Sequence, residues 1–446
     1  MRGRGLQHLP AAWGLLLLPA AALGAAEERG VAARAGGHAG LPLGAAHGFD
    51  ARRPHGGGLV KREAGAGAAA EAGAGAGPDH LPALDGLRGL AVLLVVPHNL
   101  RIAAEPTDLW TKLLAAVLDR GWIGVQIFFV LSGFLITRIL LRTRPASNYY
   151  SGFYARRGLR ILPLYYATLL VMLVLLPLAG VPLKQDSSLH VYLWTFLSNY
   201  VQAFHPGGVV VPHFWSLAVE EQFYLLWPFL VRYASTRQVL GLCALVAALG
   251  LGTRCLLIHL GMPEAAVYEW TPCRMDALAL GGAVAALCEM GMVPGWFSRN
   301  RHAPWLLMLA LFGLGAVASK GYAQFGLLPE TLGYTLLALG CAALVWGLVL
   351  SGRGAAASWL GWLRWPALRS VGRYSYGMYV LHVPLGTLLL IPLAEGLGWH
   401  VHAGLGIQLA YVVAGMVLSY VLAALVYHGF EKRFLALKHR FEPRLN

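Results

Sequence analysis

Charge is scarce in this sequence. Only 13% of its 446 residues are Asp, Glu, Lys or Arg, against about 25% in soluble domains. With 57% hydrophobic residues, that scarcity excludes an ordinary water-soluble globule. Several apolar runs reach the roughly 20 residues that a spanning helix needs. The predicted fold class is all-α: a polytopic integral membrane protein. Acidic residues are scarcer than basic ones, 21 against 35, for a formal net charge of +14. In such a chain basic residues are first a topology signal, so no nucleic-acid partner is expected. The five cysteines are an odd number and fall mostly inside apolar runs, which excludes a disulfide framework. One bridge, Cys255 to Cys273, stays open as an alternative, because both fall near the expected outer face. The two halves show no convincing internal repeat, a feature many secondary transporters carry.

Residues 1–82 stand apart from the rest, and after Ala26 they have few large apolar side chains. Met1 to Ala26 has the outline of a secretory signal: Arg2 and Arg4, an apolar stretch through Leu15–Leu18, then small residues. Inserting Ala11–Ala26 once reverses every later helix, which the charge bias below forbids. The GAGAAAEAGAGAG run at 65–77 cannot build a core. The expectation is a disordered cytoplasmic extension, or a start codon assigned too far upstream. Residues 83–434 form the membrane domain, and 435–446 a basic cytoplasmic tail.

From Leu84 the apolar pattern predicts about ten spans, near 86–103, 121–140, 161–180, 215–235, 239–259, 277–293, 303–319, 331–350, 374–393 and 406–428. The aromatic but polar segment 188–204 is read as interfacial or re-entrant. Placing both termini in the cytoplasm puts Arg138, Arg142, Arg144, Arg156, Arg157, Arg160, Arg232, Arg237, Arg299, Arg301, Arg353, Arg364, Arg369 and Arg373 inside. Only scattered basics such as Lys112, Arg120, Lys184, Arg274 and Lys320 stay outside. That is the positive-inside asymmetry.

Ionisable residues inside apolar runs are expensive and mark function. The run LDGLRGLAVLLVVPHN at 84–99 carries Arg88 and His98. At about 1.5 Å per residue they stand roughly 15 Å apart, half of a roughly 30 Å hydrocarbon core. His98 thus reaches the midplane, where imidazole suits proton transfer near neutral pH. A structural hydrogen bond to a neighbouring helix is the plainer reading. In GWIGVQIFFVLSGFLITR, Gly121, Gly124, Ser132 and Gly133 suit close helix packing, with Ser132 also able to line a ligand channel. In FYARRGLRILPLYY, the cluster Arg156, Arg157 and Arg160 serves topology and equally suits a polyanion, since guanidinium forks match phosphate oxygens. Tyr154, Tyr165 and Tyr166 add stacking surfaces.

In HFWSLAVEEQFYLLWP, Glu220 and Glu221 point about 100° apart on a helix, so one can meet an arginine while the other faces a cavity. Trp215, Tyr224 and Trp227 suit either the aromatic belt or a sugar ring. Arg274 and Asp276 sit at the mouth of the expected sixth span. His382 is read as a satisfied interhelical hydrogen-bonder, and Glu431 lies at the inner end of the tenth.

LDGLRGLAVLLVVPH, GVQIFFVLSGF, RRGLRILPLYY, HFWSLAVEEQFYLLWP, the RMD segment, SYGMYVLHVP and YHGFEKRF, in this order over 84–434, resemble the membrane-bound acyltransferase 3 family. The resemblance implies ten helices and O-acyl transfer across the cytoplasmic (inner) membrane. The donor would be a cytoplasmic acyl-coenzyme A, usually acetyl-CoA, as co-substrate. The acceptor would be a hydroxyl of an extracytoplasmic glycan or related cell-envelope molecule. No resident cofactor or metal is expected. His98, Glu220 and Glu221 would be catalytic. Arg88, Arg156, Arg157, Arg160 and Ser132 would hold the donor, and Trp215, Arg274 and Asp276 the acceptor. The sequence departs from the family in three places. Nine residues, not the usual ten, separate Arg88 from His98, which rotates His98 by about 100° on a regular helix. Pro97 can break the ladder and re-aim the ring. Gln126 stands where Asp is common, and Arg433 where Pro is. The chain ends soon after the last span, without the extra esterase-like domain of some relatives. The rival class is a secondary transporter or exporter of a small polar or glycosylated molecule.

Overall fold

The computed structural model describes residues 81–444, apart from 101–107, 182, 184, 293–299, 301, 353–359 and 400–403. The expectations for residues 1–80 and for Lys184, Arg299, Arg301 and Arg353 lie outside the described residues. Among the described residues the structure is helical and contains no strand. Each predicted span overlaps a long helix: α1 Pro82–Asn99, α2 Ile123–Thr143, α3 Tyr149–Leu170, α4 Trp215–Tyr233, α5 Thr236–His259, α6 Thr271–Glu289, α7 Ala303–Ala318, α8 Tyr334–Gly352, α9 Pro366–Leu385 and α10 Leu405–Val426.

Six stretches are long and apolar enough to cross a membrane: Leu109–Thr143, Tyr149–Leu178, Thr236–His259, Pro329–Ser351, Pro366–Gly396 and Leu405–Phe441. α1, α4 and α6 carry Arg88, the Glu220–Glu221 pair, and Arg274 with Asp276. Segment 187–204 forms only short turns, His190–Trp194 and Ser198–Val201 among them. Leu225, Leu226, Leu249, Val317, Val413 and Leu425 are exposed, an apolar perimeter suited to lipid.

Two boundaries differ from the sequence reading. The second span is preceded by a helix Leu109–Asp119 whose first turn Asp108 caps through the N–H groups of Trp110 and Thr111. The third helix begins at Tyr149, not near 161, because Tyr149, Gly152 and Phe153 form a buried stripe at helical spacing that extends the helix inward. The Arg156–Arg160 cluster therefore rides on a helix face, not on a loop. Cys255 and Cys273 are both free thiols, Cys255 exposed and Cys273 buried.

Glycines set the closest crossings. α2 packs on α6, and α1 on α9. A Cβ on Gly133 would lie 1.8 Å from the Leu278 carbonyl oxygen, and one on Gly281 2.0 Å from that of Val130. At the other crossing, a Cβ on Gly372 would lie 1.9 Å from the Asp85 oxygen. Gly121 and Gly124 lie against Leu94 and Ala91 of α1 in the same way. The packing reading of these small residues thus has direct contacts behind it. α9 runs parallel to α1, with Gly372 beside Asp85 and Gly386 beside Leu100, so His382 stands level with His98.

Candidate active site

Helical periodicity builds one cavity. α2 presents Val125, Phe128, Phe129 and Ser132; α3 presents Arg157, Arg160 and Ile161; α4 presents Ser216, Leu217 and Glu220. Each set repeats every three or four residues, one helix face per set. α9 adds Ser375, Tyr376 and Tyr379, and α1 adds Arg88. The space enclosed is about 710 Å³, part of it open to solvent.

Glu220 is held by both oxygens. Ser132 Oγ donates to Oε1 at 2.7 Å and the Tyr224 hydroxyl reaches Oε2 at 3.0 Å. Tyr224 lies four residues on from Glu220, hence on the same face. Arg157 Nη2 donates to the Tyr224 hydroxyl at 2.6 Å, with its guanidinium 4.3 Å from that ring's centroid. Arg88 and Arg160 also face the cavity. Among the described residues neither has a hydrogen-bond or ion-pair partner, though Arg88, Arg157 and Arg160 lie within electrostatic reach of one another. Unpaired cations at a cavity wall are chemically suited to an anion. Glu221 is not part of the cavity lining, and Arg157 is the cation that acts on it.

His98 is half-buried in the last turn of α1, and the cavity lining does not include it. Its Nδ1 lies 2.9 Å from the Leu118 carbonyl oxygen. A carbonyl only accepts, so Nδ1 carries a proton, and in the neutral ring the lone pair is then on Nε2. A lone pair on Nε2 is what a general base requires. His98 is within electrostatic reach of His382. His382 is buried against the ring of His213, centroids 4.8 Å apart. His382 is not the satisfied interhelical hydrogen-bonder expected from sequence: its Nδ1 bonds within its own helix, to the Tyr379 and Met378 carbonyls at 2.7 and 3.2 Å, and its buried Nε2 has no hydrogen-bond partner among the described residues.

The remaining predicted site residues lie elsewhere. Arg156 donates from Nη1 to the Phe441 carbonyl of the tail. Arg274 is buried in an aromatic box, 4.7 Å from the Tyr334 centroid, 4.9 Å from Tyr268 and 5.8 Å from Trp215. Its Nη2 donates to Gln126 Oε1 at 2.7 Å, so Gln126 accepts where an Asp would otherwise pair. Asp276 forms a buried ion pair with Arg254 Nη2 at 2.8 Å.

The sequence reading missed several participants. The Tyr379 hydroxyl donates to the His213 carbonyl at 2.7 Å, and Ser216 Oγ lies 2.5 Å from that hydroxyl. His213 is the first residue of the HFWS motif, and its place in that run was the only signal available. Arg254 looks like an anchor near a helix end until Asp276 is seen beside it.

A family model described as an acyltransferase domain matches residues 81–428, the whole stretch that builds this cavity. This chain belongs to the acyltransferase 3 family. It is similar to YrhL of Bacillus subtilis (strain 168), with 30% identity over 384 residues, covering 79% of this chain and 54% of that protein. It is also similar to the peptidoglycan O-acetyltransferase OatA of Listeria monocytogenes, with 28% identity over 384 residues, 81% of this chain and 58% of that protein. A shorter match links it to the O-acetyltransferase OatA of Staphylococcus aureus (strain NCTC 8325), 31% identical over 227 residues, 47% of this chain and 35% of that protein. The chain thus spans little more than half the length of the first two relatives. No solved structure matches.

Proposed function

We propose that the protein is a membrane-bound O-acyltransferase of the cytoplasmic membrane, with about ten spans and both termini inside. It moves an acyl group, acetyl by preference, from cytoplasmic acyl-CoA to a hydroxyl of a cell-wall glycan. The observation that carries this reading is the pair of unpartnered arginines, Arg88 and Arg160, lining the same cavity as Glu220. Phosphate is the ligand their geometry suits, and coenzyme A brings phosphates and a thioester on one molecule. Family membership favours acyl transfer over the transporter reading. The relatives named as peptidoglycan O-acetyltransferases support acetyl as the group and a wall glycan as the acceptor.

In this mechanism Arg88, Arg157 and Arg160 hold the coenzyme phosphates. The acceptor oxygen attacks the thioester carbonyl carbon, and His98 takes the hydroxyl proton on Nε2. The carbon–sulfur bond breaks, and the coenzyme leaves as thiolate and is protonated. Glu220, fixed by Ser132 and Tyr224, keeps Arg157 in place and sets the electrostatics of the cavity, with Glu221 behind it. The aromatic box of Trp215, Tyr268 and Tyr334 around Arg274, with Asp276 anchoring Arg254 behind it, shapes the acceptor side. The test follows labelled acetyl from acetyl-CoA into cell-envelope fractions with and without the gene. Label should enter wall glycan only with the gene, and equal labelling in both strains would overturn the reading.

A further inference from the structure

The tail after α10 folds back on the start of α3. Helix Lys432–Ala436 leads into a turn, Leu437–Phe441. Phe441 accepts from Arg156, and Asn148 Nδ2 donates to the Glu442 carbonyl at 2.8 Å. The backbone N–H of Arg444 donates to Asn148 Oδ1 at 2.9 Å, and the N–H of Ser147 to the Arg444 carbonyl at 3.1 Å. These contacts strap the turn across the residues that precede Arg157 and Arg160. They hold Lys438, half-buried, within electrostatic reach of Arg88, Arg156, Arg157 and Arg160, three of which, Arg88, Arg157 and Arg160, line the cavity. Among the described residues Lys438 has no hydrogen bond or ion pair. Two carboxylates flank the turn: Glu431 lies within reach of Lys438 and Arg160 without bridging either, and Glu442 lies within reach of Arg156.

Glu220, Glu221 and Glu431 offset part of this positive charge, but the four arginines and Lys438 outnumber them, and holding a further lysine there by a tail strap is unfavourable unless an anion joins the cluster. We infer that the tail turn is part of the donor site, with Lys438 supplying a cation to the polyphosphate portion of acyl-CoA beside Arg88, Arg157 and Arg160. The inference rests on the acyl-CoA reading above and extends it to a segment outside the 81–428 family match. A lysine acts on phosphate as a point charge, so its contribution belongs to binding and not to chemistry.

The test measures coenzyme A binding to the full-length protein in phosphatidylcholine nanodiscs, together with transfer kinetics. Lys438→Ala should weaken coenzyme A binding by roughly three- to twentyfold, the range of one partly exposed charged contact. It should raise the KM for acetyl-CoA with little change in kcat. Lys438→Arg should keep most of the affinity. Transfer from S-acetylpantetheine, which has the thioester and no phosphate, should be unchanged by Lys438→Ala. Wild-type affinity in Lys438→Ala, with binding lost in Arg157→Ala, overturns the tail assignment and leaves the donor reading standing. Equal loss with S-acetylpantetheine shows a structural role and also overturns it. A Lys438 effect seen only when phosphatidylglycerol is added marks a lipid-headgroup contact and overturns it too. Absence of coenzyme A binding by the wild-type protein overturns both readings.

Discussion

Tyr224→Phe isolates the hydroxyl that ties the cavity together. The ring stays, and with it the cation–π contact to Arg157 at 4.3 Å. What disappears is an oxygen that accepts from Arg157 at 2.6 Å and lies 3.0 Å from Glu220 Oε2 and 2.9 Å from Ser132 Oγ. A phenol has one proton. Ser132 Oγ, which donates to Glu220 Oε1 at 2.7 Å, and Glu220 Oε2 can each accept that proton; the carboxylate is the stronger acceptor, so the Tyr224 proton belongs on Oε2. The substitution therefore costs two bonds to charged partners. Each is worth about 1.5–3 kcal/mol when buried. Water can enter this open cavity and replace part of the loss, so a net of about 1.5–3 kcal/mol is expected for both together. That corresponds to a fall of roughly 10- to 150-fold in kcat/KM for acetyl-CoA. Tyr154→Phe is the control. It removes a neutral bond, hydroxyl to the Leu225 carbonyl at 2.8 Å, on α3 but away from the cavity, and should cost at most about 1 kcal/mol of stability. Transfer of labelled acetyl by the two purified variants decides the matter. Equal, near-wild-type kcat/KM in both would refute the view that this network positions Arg157 and Glu220.

Arg254→Met should lower the stability of detergent-solubilised protein by about 3–5 kcal/mol, because it leaves Asp276 buried and unpaired. Arg254→Met combined with Asp276→Leu should recover much of that loss in the same thermal assay. Gly281→Ala should reduce folded yield, since its Cβ would fall 2.0 Å from the Val130 carbonyl oxygen, and overpacking costs about 1–3 kcal/mol; detergent size-exclusion profiles report it. In a Cys255→Ser background, Ser187→Cys should react with an impermeant maleimide applied to intact cells and Pro145→Cys should not. The reverse pattern contradicts a cytoplasmic N-terminus.

The sequence exposed the charged half of the site and hid the neutral half. Arg88, Glu220 and the Arg157–Arg160 pair stand out because an ionisable group in an apolar run needs a reason. Tyr224, Ser216 and Tyr379 do not stand out, since hydroxyls and tyrosines are common in helices and aromatic belts. Their roles depend on which faces meet across α2, α4 and α9. Spacing also separated Glu220 from Glu221, but which one meets the cavity is set by the rotation of α4 and cannot be read from adjacency. Arg274 and Asp276 share one motif, yet one sits in an aromatic box and the other pairs with Arg254. Only the packing of α5 against α6 distinguishes those fates. Helix α3 began earlier than expected because hydropathy averages over a polar face and overlooks the buried stripe of Tyr149, Gly152 and Phe153.

The central claim is that His98 is the base that serves a donor held in the arginine-lined cavity. The direct measurement is acetyl transfer by His98→Ala in proteoliposomes, with coenzyme A binding measured on the same preparation. The expected result is a rate loss of about a hundred- to ten-thousandfold, the usual contribution of a general base, with coenzyme A affinity unchanged. Wild-type turnover in His98→Ala would contradict it, and His98 would then be a structural partner of the Leu118 carbonyl.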